Sequence, residues 1–534
     1  MRIICQYLCY KIPFCWVLRS GKLFMSMRIK PRFFVYLIPL AYLLLLLFQK
    51  DLSMMGDLGR HLKLGQVVLH CLCVPQTNLF SYTNPNFPIV NHEWLGEVIF
   101  YLVSVVFGVN GLLVFKMFLV VSAASILYSV ALKRGSLFWV TVFSLVGISL
   151  FSMRFFVLPE LYSYLLVAIF VFLIEKFKLT RDIRLLWILP ILEILWVNMH
   201  IYFILGVILF GFFFLEEWIH QKKFPQTQFI ILIAILLATL INPSFIRGAL
   251  LPFTFQTNYG FPVEENESPF VILNPSSTNT NLAYTLILQV FLFDILLVLF
   301  FVGFLLKKQW KEIFTMGNGL VASGLAMKFT RCIGLFSLLS FIPLVQTFTI
   351  IEEKLKKSYD EQATNIVKGM VVLGVVAVVW IHISGLLVYN ILGFGFVPSA
   401  EKAADFIQLS HVKGRIFNNY IVGNYLIYRL YPQEQVYVDA RPEAYPAGFF
   451  NDYWNMMADP RFFNSQVQKY NINAIVFNVA YDDPAKIRPF LIGILQDKNW
   501  VPVYGDGTVT IFVRNNGVNA GVIEKYRIVP GSGS

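Results

Sequence analysis

Long apolar stretches recur along residues 33–390, and this recurrence constrains the fold more than any other feature of the sequence. A helix needs about 20 mostly apolar residues to cross the hydrocarbon core of a bilayer. Only 14% of the residues are charged, whereas soluble domains contain about a quarter, so a water-soluble globule is excluded. The sequence predicts eleven membrane-spanning helices, near residues 33–49, 111–132, 136–152, 157–175, 184–199, 201–219, 227–242, 284–306, 313–328, 331–351 and 366–390.

The distribution of positive charge predicts which loops face the cytoplasm. Residues 1–32 contain seven Lys or Arg and no acidic residue, and further basic clusters follow alternate spans. Such clusters stay on the cytoplasmic side of a membrane. The pattern predicts a multi-pass protein of the cell (plasma) membrane with a cytoplasmic N-terminus, and with residues 50–110, 243–283 and everything after 390 outside. The formal charge of +12 is therefore an orientation signal, and no nucleic-acid partner is predicted.

The composition changes after residue 390, which divides the chain into domains. Residues 1–32 are predicted to be a basic cytoplasmic leader, residues 33–390 the transmembrane module, and residues 391–530 an extracytoplasmic domain. Residues 94–108 are apolar on one face but short, which predicts an amphipathic helix lying on the membrane surface. Residues 531–534 read Gly-Ser-Gly-Ser and are typical of a cloning remnant.

Strand and helix signals alternate in the C-terminal domain. The extended apolar runs lie at 435–438, 472–479 and 508–513, and the helical patterns at 401–410, 460–470 and 484–497. This alternation predicts a small α/β domain with a partly parallel sheet. The domain has no Gly-rich phosphate motif, and the six Cys indicate no disulfide framework because Cys71 and Cys73 are too close in sequence to join separate elements.

Acidic and histidine side chains concentrate in the first outer loop. Asp57 follows the first span and lies four residues before His61, on one face of a predicted short helix. His92 and Glu93 form a second acid–histidine group. We expect Asp57 and Glu93 to be catalytic and the two histidines to bind substrate. Solvated loop charges are one alternative, and a divalent cation held by these four residues is another.

Cationic side chains at the outer ends of later spans are candidates for binding an anion. Arg154, Lys328 and Arg331 have no acidic partner predicted beside them, and a lipid head group is the anion expected at that depth. The alternative is that each cation only extends to the interface. His200 closes the fifth span at the same level and is a further substrate-binding candidate. Glu193 and Asp294, which lie within spans, are expected to be either paired or functional.

Short motifs give the chain a resemblance to a known family. They comprise residues 57–65 (DLGRHLKLG), 80–83 (FSYT), 92–95 (HEWL), Asn242-Pro243, Arg331, 417–420 (FNNY) with Gly423 and Tyr425, and 439–446 (DARPEAYP). Together they resemble bacterial GT-C glycosyltransferase-like membrane proteins. The resemblance implies a GT-C-like fold and transfer of sugar from a polyprenyl-phosphate carrier on the outer side. It also implies that Asp57 is the first-loop acid that acts on the acceptor. Asn78 departs from the pattern, since a second acid is expected before Phe80.

These observations favour an inverting membrane glycosyltransferase. Its expected partners are a polyprenyl-phosphate-linked sugar donor, a glycan, lipid or protein acceptor, and membrane lipids. A non-catalytic flippase or surface-glycan assembly protein is the first alternative, and a glycan polymerase or ligase shares the same lipid-phosphate chemistry. The C-terminal domain is expected to cap the outer cavity without a catalytic group, with Asp439 and Arg441 as an internal ion pair.

Overall fold

A computed structural model describes residues 31–255, 263–272, 280–307, 312–359, 361–388, 391–482 and 484–528. Most of the predicted basic leader and the Gly-Ser-Gly-Ser end lie outside these residues. The first sixteen α-helices of the described chain are α1 (Pro31–Leu47), α2 (Leu58–Cys71), α3 (Trp94–Phe107), α4 (Gly111–Ala131), α5 (Leu137–Phe151), α6 (Glu160–Thr180), α7 (Arg184–Val197), α8 (Ile204–Gln221), α9 (Gln226–Ala238), α10 (Ile246–Ala249), α11 (Leu251–Thr254), α12 (Pro269–Ile272), α13 (Thr280–Lys307), α14 (Ile313–Lys328), α15 (Ile333–Ser358) and α16 (Glu361–Val388).

A helix covers most of each predicted span, and the longest apolar helices establish a multi-pass membrane protein. Five helical segments of the described chain are long and apolar enough to cross a membrane: Gly111–Ala131, Leu137–Arg154, Ile201–Gln221, Thr330–Ser358 and Glu361–Val388. Several shorter helices, including α3 and α9, are also apolar. The count of eleven spans and the surface location of α3 stay predictions.

Helix α15 lies at the centre of the bundle. Residues 333–347 are all buried, as expected of a helix that is apolar on every side. It packs against α14 and α5. Helix α16 is peripheral and exposes Trp380, Ile381 and Val388, as expected of a surface that faces lipid rather than water.

The C-terminal domain is a mixed α/β unit. Its strands are β1 (Arg415–Asn418), β2 (Ile472–Asn478), β3 (Trp500–Gly505) and β4 (Val509–Arg514), and its helices are α17 (Glu401–Leu409), α18 (Tyr420–Leu430), α19 (Phe449–Ala458), α20 (Pro460–Tyr470), α21 (Pro484–Gln496) and α22 (Ala520–Tyr526). The strand order is β1-β2-β4-β3. Strand β1 pairs with β2 in parallel and the other pairs are antiparallel, which confirms the partly parallel sheet.

The predicted strand at 435–438 is wrong, because this run pairs with the first loop (residues 48–93) instead of the domain's sheet. The Val436 amide donates to Phe80 O at 2.9 Å, and the Tyr82 amide donates to Val436 O at 3.2 Å. The run therefore attaches the C-terminal domain to the first loop. Within that loop a disulfide joins Cys71 to Cys73, and this bond links no separate elements.

Candidate active site

Most of the predicted site residues line one cavity between the helical bundle and the C-terminal domain. Its volume is about 1230 Å³. Seven of the eight candidates lie on its wall: Asp57, His61, His92, Glu93, Arg154, His200 and Arg331. Lys328 is the exception, since its side chain is exposed and its Nζ lies 5.0 Å from the ring centroid of Phe329.

Glu93 lies among three histidines. Its Oε1 is 3.6 Å from His92 Nε2 and 3.9 Å from His200 Nε2, and its Oε2 is 3.8 Å from His61 Nδ1. Burial raises the pKa of Glu93 to about 7 and lowers the pKa of His61 to about 3. Burial also lowers the pKa of His92, and that of His200 well below its usual range. Near pH 7 the imidazoles are therefore neutral and Glu93 is partly ionised.

The tautomer of His61 follows from its two neighbours. Arg60 NH2 lies 3.2 Å from His61 Nε2, and because a guanidinium only donates, Nε2 must accept. The proton of the neutral ring is therefore on Nδ1, which donates to Glu97 Oε1 at 2.8 Å. Asn91 Nδ2 donates to the other oxygen of Glu97 at 3.0 Å. Both ring nitrogens of His61 and both oxygens of Glu97 are thus engaged.

The hydrogen bonds of His61 and Glu97 argue against the alternative that this loop binds a divalent cation. His61, Glu93 and Glu97 each place one potential ligand atom within 4.8 Å of the others, a different set from the one predicted. A resident divalent cation does not fit this arrangement, because His61 has no free lone pair. Arg60 NH1 also lies 3.6 Å from Glu97 Oε1 and already supplies positive charge there. A cation ligand set requires deprotonated, uncommitted donors.

Asp57 immediately precedes α2 and faces the cavity with a side chain that is 37% exposed. Its Oδ1 accepts a hydrogen bond from Asn424 Nδ2 at 2.8 Å and lies 3.8 Å from Arg60 NH2. The predicted proximity of Asp57 and His61 along α2 is present in the backbone, where the His61 amide donates to Asp57 O at 3.0 Å. The His61 ring, however, bonds to Glu97. The two side chains therefore belong to separate parts of the site.

The expectation that Arg154 and Arg331 lack acidic partners is wrong. Arg154 forms a two-point pair with Glu160, with Nε–Oε1 at 2.5 Å and NH2–Oε2 at 2.8 Å. Its NH1 also lies 2.8 Å from Glu265 Oε2, and Arg331 NH1 lies 3.3 Å from Glu265 Oε1. Burial opposes ionisation of Glu265, but the charges of Arg331 and Arg154 outweigh it and lower the pKa of Glu265 to about 2.

Arg154 and Arg331 differ in how many of their hydrogen-bond donors are already used by acidic partners. Arg154 is held by the fully buried Glu160, whose side chain is 1% exposed. Arg331 contacts Glu265, whose side chain is 41% exposed, and Asn266 Oδ1 at 3.3 Å, and its NH2 lies 3.9 Å from Glu160 Oε2. Its buried Nε has no hydrogen-bond partner in the described part of the chain. The Arg331 side chain is also the more exposed of the two, at 19% against 11% for Arg154, and Arg331 is therefore the arginine with capacity for a further anion.

The two carboxylates predicted to lie within membrane spans, Glu193 and Asp294, are not part of the cavity. Neither oxygen of the fully buried Glu193 has a hydrogen-bond partner among the described residues, so the expected pairing is not found there. It packs against Gly206, where an added Cβ would lie 2.1 Å from Glu193 Oε2. Asp294 is half-buried. Neither lines the cavity.

The ion pair predicted inside the C-terminal domain is confirmed, and it explains Asn78. Arg441 Nε and NH2 lie 2.7 and 2.8 Å from the oxygens of Asp439. Arg441 NH2 also donates to Asn78 Oδ1 at 2.7 Å, while Asn78 Nδ2 donates to Ala444 O at 3.1 Å. An amide can accept and donate at once whereas an ionised carboxylate can only accept, so the neutral residue suits this buried position.

Several site residues were not predicted from the sequence. They are Glu97, Glu160, Glu265, Asn424 and Glu443. Glu97 has a usable signal, because it lies one helical turn after Glu93. Glu160 and Glu265 are recognised as site residues only from their ion pairs with Arg154 in the folded structure. Asn424 and Glu443 come from the C-terminal domain. Glu443 lies within the 439–446 motif and Asn424 lies between Gly423 and Tyr425, but the local sequence does not mark either of them as a site residue.

The helical bundle, the first loop and the attached α/β domain together form a fold that several solved structures share. The chain is a multi-pass membrane protein with the fold of GT-C glycosyltransferases. One similar structure is the archaeal oligosaccharyltransferase AglB from Archaeoglobus fulgidus in complex with an inhibitory peptide and a dolichol-phosphate. The TM-score is 0.59 at 9% identity, over 91% of this chain and 74% of that one.

Two further structures show the same fold. The Archaeoglobus fulgidus oligosaccharyltransferase in complex with Zn and sulfate has a TM-score of 0.55 at 10% identity, over 90% of this chain and 73% of that one. The arabinofuranosyltransferase AftD from Mycobacteria has a TM-score of 0.55 at 13% identity, over 90% of this chain and 41% of that one. No family model and no curated protein matches the sequence. At these identities the likeness shows the fold alone.

Proposed function

We propose that this protein transfers a sugar from a polyprenyl-phosphate carrier to an acceptor at the outer face of the membrane. The observation that carries the proposal is the shared cavity, which exposes the carboxylates Asp57 and Glu93 together with the guanidinium of Arg331. Transfer from a phosphate-linked donor requires both a proton acceptor and a stabiliser of the leaving phosphate. The binding of dolichol-phosphate by AglB supports this class of donor.

In this proposal the donor phosphate binds beside Arg331. The guanidinium group of Arg331 lines the cavity, with 19% of the side chain exposed, and is available to a phosphate oxygen, while Arg154 lies on the other side of the shared Glu265. The same cavity wall includes a group of apolar residues, Leu250, Leu251, Pro252, Phe255, Val263, Leu325 and Phe329. An apolar wall beside a phosphate-binding guanidinium suits a lipid phosphate better than a free nucleotide.

The reaction is a single displacement at the anomeric carbon. The acceptor oxygen forms a bond to that carbon as its proton passes to Asp57, and the bond from the carbon to the phosphate oxygen breaks. Polyprenyl phosphate leaves with the electron pair, and Arg331 stabilises its developing charge. One displacement inverts the anomeric configuration. No step passes through a metal, since the donor set around His61 does not fit one.

Glu93 is the second catalytic carboxylate of the proposal. It ionises near neutral pH because burial raises its pKa to about 7, which is the range in which a side chain exchanges protons most effectively. Its ionised form accepts hydrogen bonds from the hydroxyls of the bound sugar or acceptor. His200, whose Nδ1 accepts from the Tyr202 amide, presents its Nε2 as a donor beside Glu93, whereas His92, whose Nδ1 donates to Val90 O at 3.4 Å, presents its Nε2 as an acceptor.

The test is transfer by the purified full-length protein. A panel of synthetic polyprenyl-phosphate hexoses and pentoses is the donor, membrane extract is the acceptor source, and released polyprenyl phosphate is the readout. We expect release with at least one donor, and loss of release in Asp57→Asn but not in Asp452→Asn, which changes an exposed aspartate of α19. Movement of the intact donor across vesicles without release would contradict the proposal and favour a flippase.

A further inference from the structure

The C-terminal domain contributes a buried amide to the candidate active site. Asn424 of α18 is 0% exposed, and its Nδ2 donates to Asp57 Oδ1 at 2.8 Å and to Gly56 O at 3.2 Å. Its Oδ1 accepts from the Ala440 amide at 3.2 Å. The amide group is thus tied to the first loop on one side and to its own domain on the other.

Two glycines allow this amide to reach the first loop. At Gly59 of α2 an added Cβ would lie 3.0 Å from Asn424 O, so α2 and α18 approach closely there. At Gly423 an added Cβ would lie 2.1 Å from Val438 O, so α18 also packs tightly on the run that leads to Ala440. A side chain at either glycine would push α18 away. The position of Asn424 relative to Asp57 is therefore set by packing on both sides.

The hydrogen bond engages only one oxygen of Asp57. Oδ2 has no hydrogen-bond partner among the described residues, and the half-exposed side chain lines the cavity. A donor on one carboxylate oxygen fixes the rotamer and leaves the other oxygen for an incoming hydroxyl group. Precise placement of a reacting group is worth on the order of 10²-fold in rate.

We infer that Asn424 is a positioning residue, which holds the Asp57 carboxylate in the orientation that accepts the proton of the acceptor hydroxyl. The C-terminal domain then completes the active site and does more than cover it. This inference rests on the proposed role of Asp57. It gives a physical reason for the motifs at 417–420 and 439–446, since Asn418 holds the neighbouring run by donating to Val438 O at 2.7 Å.

The inference is tested by a double-mutant cycle on the full-length protein, with the donor selected from the synthetic panel. Asn424→Asp keeps the size of the side chain but replaces the donor with an acceptor that faces Asp57. We expect kcat to fall by about 10²-fold with an unchanged KM for the donor. In the Asp57→Asn background the same change should have almost no further effect, because Asn424 acts through Asp57. Asn464→Asp, on the exposed face of α20, is the matched control.

The outcomes separate this inference from the proposed function. The role of Asn424 would be overturned if Asn424→Asp lowered kcat by the same factor in the wild-type and Asp57→Asn backgrounds. A normal kcat in Asn424→Asp alone would overturn it as well. Neither outcome would affect the proposed role of Asp57. A normal rate in Asp57→Asn alone would overturn the proposed function and the inference with it. If Asn424→Asp does not fold, as judged by its thermal unfolding, the same cycle is run with Asn424→Ser and is read in the same way.

Discussion

Lys116 donates a hydrogen bond to the carboxylate of Asp51 at 2.7 Å, and both side chains are buried. Lys116 Nζ also donates to Phe155 O at 2.9 Å, and the other oxygen of Asp51 accepts from the Ser53 amide at 2.8 Å. The pair joins the start of the first loop to α4 and to the turn after α5. Asp51 therefore has a structural role, although its sequence position beside Asp57 makes it look like a second catalytic candidate.

This pair makes Asp51→Asn a destabilising change. Removing the negative charge leaves Lys116 buried without a counter-ion, and breaking one partner of a buried pair costs about 3–5 kcal/mol. We expect a lower midpoint of thermal unfolding in detergent, measured beside Asp452→Asn as a surface control. An unchanged midpoint would show that the pair contributes nothing to stability.

Glu93 predicts a pH dependence of transfer. Its pKa is about 7, so the ionised form is lost as the pH falls below 7 and gained as it rises. If ionised Glu93 binds the substrate hydroxyls, kcat/KM increases with pH through about 7, and Glu93→Gln removes this step from the profile. The measurement is kcat/KM for the donor from pH 5 to 9. A step at the same pH in Glu93→Gln would assign it to another group.

Substitutions of Arg331 and of the nearby Lys328 compare a cation that is proposed to bind the lipid phosphate with one that is not. The Arg331 side chain lines the cavity and is 19% exposed, whereas Lys328, three residues earlier, is exposed and lies against Phe329. A hydrogen bond to a charged group contributes about 1.5–3 kcal/mol, so Arg331→Gln should weaken the binding of polyprenyl phosphate by about 10- to 150-fold. Lys328→Gln should leave it unchanged. Equal losses in the two variants would indicate only a general effect of positive charge.

The engagement of His61 predicts that transfer is independent of added metal. Because Arg60 and Glu97 occupy the ring nitrogens of His61, we expect full activity after dialysis against EDTA. We also expect no zinc or manganese above background when the purified protein is analysed by elemental mass spectrometry. Activity that is lost with EDTA and restored by one cation would show that Arg60 moves aside and that the site binds metal.

Features that depend on neighbouring residues could be predicted from the sequence. The apolar runs placed the helices because a membrane span is defined by a local stretch of residues. The shared location of Asp57, His61, His92 and Glu93 on one cavity wall could be expected because they cluster in one loop of the sequence. Strands β1 and β3 are not among the predicted extended runs. The predicted strand at 435–438 is wrong because only Val436 forms a bridge, with Ser81 of the first loop, and alternation does not reveal the partner of an extended run.

Contacts between distant parts of the chain could not be predicted from the sequence. The contact between Arg154 and Glu265 joins residues 111 positions apart along the chain and has no local signal, and even the Glu160 partner, six residues from Arg154, is separated from it by the turn between two helices. Asp57 and Asn424 are separated by 367 residues, and nothing local to α18 marks its amide as part of a site. The burial that raises the pKa of Glu93 to about 7 also arises only when the bundle, the first loop and the C-terminal domain come together.

The central claim is that Asp57 accepts the proton of the acceptor, and its most direct test is Asp57→Asn with donor binding and transfer measured on the same preparation. The substitution keeps the size of the side chain and removes the proton acceptor. We predict that transfer falls by about 10²- to 10⁴-fold, the usual contribution of general base catalysis. Affinity for polyprenyl phosphate should stay within about twofold, because the phosphate contacts lie on Arg331. Near-normal transfer by Asp57→Asn would contradict the account.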